Sequence, residues 1–119
     1  MRNEIDYQLW IRNILDVLEI FASEEFQTRV WVVGDGPECS SYVEAVCQFF
    51  DDFQCDLLIN KEWKRIGLTE VQRNALEKFR QVIDNFNKHM PENPDDAYVL
   101  SQADWPNIRI LAQRALDTF

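Results

Sequence analysis

The chain has 119 residues, 46% apolar and 28% charged, a balance that argues against disorder and suits one globular domain built without disulfide staples or structural metals. Its formal net charge of −9, and the absence of any apolar run of roughly 18–20 residues, argue against a nucleic-acid binder and a helical membrane protein. Only three glycines and four prolines interrupt it, which favours a few long helices over many turn-linked strands.

The first helix is marked by Tyr7, Trp10, Ile11, Ile14, Val17, Leu18 and Phe21, which recur at three- and four-residue steps, with Asp6, Asn13, Asp16 and Glu19 elsewhere on the wheel. Ser23 followed by Glu24 and Glu25 reads as an N-cap with acids in the first turn. Gly34 would close a short second helix carrying Phe26, Val30 and Val33. Residues 28–33 are also rich in β-branched side chains, so a short strand stands as the alternative there, although no second strand is evident to pair with it.

Gly34-Asp35-Gly36-Pro37 is turn chemistry. A helix from about Ser41 to Phe53 follows, with Tyr42, Val43, Val46, Phe49, Phe50 and Phe53 on one face and Glu44, Gln48, Asp51 and Asp52 opposite. Between Cys55 and Gly67 the pattern fits a short helix capped by Asn60 and ended by Gly67, with Leu57, Leu58, Trp63 and Ile66 turned inward.

Thr69-Glu70-Val71-Gln72 fits a capping box. Ala75, Leu76, Phe79, Val82, Ile83 and Phe86 carry that helix to about His89, where Pro91 and Pro94 forbid continuation. Asp95 to Leu100 is expected to make one turn. Asp104-Trp105-Pro106 then opens a last helix with Ile108, Leu111, Ala112, Ala115 and Phe119 facing in. The fold class expected is all-α, a single compact bundle of four to six helices spanning residues 1–119, with no internal repeat.

Three cysteines, Cys39, Cys47 and Cys55, cannot all pair within one chain, and none lies in a C-x-x-C pair; reduced thiols are expected. The first residues lack the apolar region of a secretory signal, so the cytosol is the expected location. His89 is the only histidine, and any Ser-His-Asp or Cys-His arrangement must use it. At a predicted helix end it more simply meets the last carbonyls.

No paired Glu-x-x-His, His-Glu-x-x-His or EF-hand ladder is present. Asp35 between glycines lacks the ligands a calcium or phosphate loop needs. The sequence therefore implies no catalytic residues, metal or cofactor, and a chain that is not an enzyme.

Charge is more informative. Residues 30–60 hold six acids, Asp35, Glu38, Glu44, Asp51, Asp52 and Asp56, and no lysine or arginine. Glu44, Asp51 and Asp52 fall on the outer face of one predicted helix, giving either a surface that steers a basic partner or a solubilising face. Lys61 to Lys88 holds seven basic residues against four acids, but the signs alternate instead of forming a stripe.

The size, the acidic segment from Asp35 to Asp56, and Asp104-Trp105-Pro106 before a terminal amphipathic helix together resemble the small acidic helical immunity proteins of bacteria, which inhibit polymorphic or contact-dependent toxins. The resemblance implies a tight one-to-one complex with a cognate toxin, often a nuclease, whose cationic cleft the acidic face occupies. The expected partner-binding residues are Asp35, Glu38, Glu44, Asp51, Asp52 and Asp56, with Trp31 and Trp63 as aromatic anchors unless they belong to the core. A small carboxylate-using enzyme or ligand-binding domain, and an adaptor subunit of a larger assembly, are the alternatives.

Overall fold

The computed structural model describes residues 4–34, 36–37 and 40–119, with side chains from residue 7 onward. Among these residues there are seven helical segments and no strand. They are α1 (Glu4–Ala22), α2 (24–33), α3 (42–52), α4 (55–62), α5 (Glu70–Lys88), α6 (Asp96–Leu100) and α7 (Trp105–Asp117). The all-α architecture is the expected one, with one helix more than the upper figure of six.

Helices α1, α5 and α7 form the frame. α7 packs along both of the others, and the buried faces merge into one core. Trp10, Ile14, Val17, Leu18 and Phe21 of α1 are buried, as their spacing predicts. Thr69 accepts the backbone N–H of Gln72 at 3.1 Å, and the Gln72 side chain accepts that of Thr69 at 2.9 Å, so the capping box is present as read.

Three helices open as α-helix and finish as π-helix: α2 over Gln27–Val33, α3 over Gln48–Asp52 and α4 over Leu58–Glu62. This is where sequence periodicity and structure part. Residues 28–33, for which a strand was the alternative, are helical; Ser23 caps the start of α2, and Gly34 at φ 75° closes it by donating its N–H to the Arg29 carbonyl. Both ends are satisfied locally, and among the described residues no strand lies beside the segment to offer a ladder. Helix α4 likewise begins at Cys55, with Asn60 inside the π-helical turn instead of capping it. Phe119, expected inside, is 39% exposed because α7 ends at Asp117.

Gln27 is the one buried polar residue among those described. Its amide nitrogen donates to the carbonyls of Ile20 and Phe21, both at 2.8 Å, and its amide oxygen accepts the indole N–H of Trp105 at 3.0 Å. Trp105 in turn lies against the rings of Phe21, Trp31, Tyr42 and Phe86 with centroids 5.5–6.4 Å apart. One amide thus joins the end of α1, the start of the α2 π-helix and the start of α7.

Gln27→Ala would strand two carbonyls and an indole N–H inside the core. A destabilisation of about 3 kcal/mol is expected in urea unfolding, with an unchanged dependence on denaturant. A loss below about 1 kcal/mol would show that the amide is not a structural tie.

Candidate acidic interface

Helix α3 is held from three directions. Ser41 caps it by accepting the Glu44 N–H at 3.1 Å, the Asp96 carboxylate of α6 accepts the Tyr42 N–H at 2.9 Å, and the buried Tyr42 hydroxyl donates to Asn87 of α5 at 2.7 Å. Tyr42, Ala45, Val46 and Phe49 face the core. Glu44, Cys47, Asp51 and Asp52 are consequently exposed, and the π-helical turn sets Asp51 and Asp52 side by side on the outside. Among the described residues no cation approaches the three carboxylates within ion-pair distance.

The other predicted partner-binding residues divide. Asp35 and Glu38 lie outside the described residues, as does Cys39. Asp56 is exposed but engaged, its Oδ1 lying 3.6 Å from Arg80 Nε; Arg80 also takes two hydrogen bonds to Glu77, at 2.8 and 3.1 Å. That guanidinium holds the Glu77 carboxyl below the ordinary carboxylate range.

Trp31 takes the core alternative. It is only 6% exposed, donates its N–H to Ser40 at 3.1 Å and packs on Tyr42 and Trp105. Trp63 is half-buried, with the Lys64 ammonium 5.4 Å from its ring centre. The structure therefore gathers Glu44, Asp51 and Asp52 on one face and leaves neither tryptophan on it.

A second acidic run escaped the sequence reading. Residues 89–108 contain Glu92, Asp95, Asp96 and Asp104 and no lysine or arginine. The bond from Tyr42 to Asp96 brings this run against the start of α3, so two acid-only segments that are far apart in sequence share one side of the fold. The signal was legible as a simple count, but only the fold shows that the two runs meet.

No group of three or more potential metal ligands is found among the described residues. His89 Nδ1 lies 2.8 Å from the Asn85 carbonyl, the helix-end position its place in the sequence suggested. Cys55 is buried, and burial pushes its thiol well up; Cys47 is exposed. No helix among the described residues is long and apolar enough to cross a membrane. Compared with known proteins, the chain matches no family model, no curated protein and no solved structure.

Burial raises the proton affinity of Asp96, the Tyr42 N–H opposes that shift, and the neighbouring Asp95 charge adds to it. Its folded value lies above its unfolded one. The stability it contributes is therefore fully present below the unfolded carboxylate range and is lost as pH rises through the raised folded value. Asp96→Asn keeps an oxygen for the Tyr42 N–H and loses the half-buried charge, so its melting temperature at pH 7 is expected to equal or exceed that of the wild type. Asp96→Ala removes the acceptor and is expected to lose about 1–2 kcal/mol. Equal losses in the two variants would refute this assignment of roles.

Proposed function

We propose that the chain is an acidic protein-binding module of the immunity type, an inhibitor whose α3 face meets a basic surface of a cognate toxin, such as the cationic cleft of a nuclease. One observation carries the reading. Asp51 and Asp52 stand in the last turn of α3, where the helix dipole favours cations, and among the described residues neither has a cation within ion-pair distance.

Fold stability does not account for this choice. Exposed lysines at the same two positions would favour the helix by about 0.3–1 kcal/mol each. Several acids elsewhere are drawn into pairs, Glu25 with Arg29, Glu62 with Arg65, Asp84 with Lys88 and Glu24 with Arg109. Carboxylates that are left unpaired and placed against the dipole are available to a partner's cations. Such charges act mainly on encounter, by steering a basic surface at long range.

Affinity capture with the tagged chain at low and moderate salt, followed by mass spectrometry, is expected to retain a basic protein at near-stoichiometric amounts. Co-expression of the chain should relieve that protein's toxicity. Replacing Asp51 and Asp52 by lysine is expected to slow association with it about tenfold or more at low salt, while leaving the fold equally stable or more so. Association at the wild-type rate would remove this face from the account, and an acidic captured partner would sink the proposal as a whole.

A further inference from the structure

Two grooves lie on the side where the acidic runs meet. One, about 250 Å³, runs between α3 and the turn after α5, with Val43, Val46, Cys47, Met90 and Pro94 among its walls. The other, about 460 Å³, lies between the end of α5, α6 and the turn before α7, and is lined by Phe86, His89, Met90, Tyr98, Gln102 and Asp104 among others. Met90 lines both, so they adjoin and form one furrow around its side chain. The larger part falls within the roughly 300–1,000 Å³ typical of pockets that take a ligand or several side chains.

The chemistry of the furrow is mixed in a specific way. Its floor is apolar, built from Val43, Val46, Phe86 and Met90. Its rim carries Glu92 and Asp104, with acceptor oxygens on Asn85 and Gln102, and it includes no lysine or arginine. The carbonyl end of the 19-residue helix α5 adds negative potential at the same place. The neighbouring lysine, Lys88, is engaged with Asp84 at 3.2 Å.

We propose that this furrow seats a segment of the partner protein in which a lysine or arginine stands between apolar side chains. The inference rests on the proposed function and deepens it by naming the partner's chemistry. The apolar neighbours fill the floor over Met90, and the cation meets Asp104 or Glu92 and the carbonyl end of α5. An acidic segment is opposed by the rim charges. A wholly apolar one leaves the rim carboxylates facing it without partners. The division of labour follows interface physics: exposed acids on α3 govern encounter, whereas a partly enclosed furrow of mixed polar and apolar lining supplies the contact that holds. It also answers why neither tryptophan lies on the α3 face, since the anchor comes from the partner and the pocket from this chain.

The test is selection of random dodecapeptides displayed on phage against the full chain, followed by affinity measurement of the enriched peptides on four proteins: wild type, Met90→Lys, Asp104→Lys, and a variant with Glu44, Asp51 and Asp52 all changed to lysine. Circular dichroism melts confirm that each variant is folded. Asp104 is exposed, so its variant serves as the reading if Met90→Lys does not fold. The enriched peptides are expected to carry a basic residue flanked by apolar ones. They should bind Met90→Lys and Asp104→Lys at least tenfold more weakly than wild type, and the α3 variant no more than about threefold more weakly. Basic peptides that weaken only on the α3 variant would overturn the furrow and leave the proposed function standing. Enrichment of acidic or wholly apolar peptides, or of none, would overturn the furrow and count against the basic partner as well.

Discussion

The Gln27 amide is the tie on which the arrangement of helices depends. A helix leaves its last carbonyls without intrahelical donors, and at the end of α1 the protein itself supplies them. Ser23 covers Glu19 through its backbone N–H, and the two amide hydrogens of Gln27 cover Ile20 and Phe21. The remaining oxygen fixes the indole of Trp105. Glutamine alone among uncharged side chains of this reach offers two donors and an acceptor, as asparagine does on a shorter stem. The following π-helical turn of α2 begins at this residue, which links the wide helix geometry to the inward direction of its side chain.

Fixing Trp105 fixes the face that is offered to solvent. Its ring is central to a cluster that includes Trp31 and Tyr42, and Tyr42 is the first residue of α3. With that phenol buried and bonded to Asn87, α3 cannot rotate without breaking a buried hydrogen bond and exposing Phe49. Burial also pushes the Tyr42 hydroxyl far above its ordinary proton affinity, so it stays a donor across the physiological range. The outward direction of Glu44, Asp51 and Asp52 is therefore a consequence of core packing several residues away.

Much of this was legible in the sequence where the determining contacts are local. The Thr69 capping box, the Ser23 cap, the α1 stripe and the proline near the start of α7 depend on neighbours within four residues, and each is found where the pattern places it. The Asp104 side chain, by contrast, makes no cap hydrogen bond. What the pattern left open depends on contacts across the fold. Thr28 to Val33 carries β-branched residues, yet the segment is helical because Gln27 and Trp31 anchor it to α7 and the core. Trp31 fits either an anchor or a core residue in a loosely patterned stretch, and its contact with Trp105 decides for the core. The exposure of the three α3 acids was legible as helical periodicity opposite the apolar stripe, whereas the engagement of Asp56 by Arg80 requires α4 and α5 to be placed side by side.

The meeting of the two acidic runs carries a further physical consequence. Like charges a few ångströms to about 10 Å apart are incompletely screened at physiological salt, so bringing residues 89–108 against α3 raises the negative potential of both and opposes the fold. Asp96, which joins the runs, has its charge disfavoured by burial and by Asp95, and it is retained through the hydrogen bond from Tyr42. A cation on a binding partner would relieve this same repulsion without any rearrangement of the helices, because the core already holds the carboxylates in place. Little reorganisation would then accompany complex formation, which is the physical sense in which a charged face can be prepared for its partner.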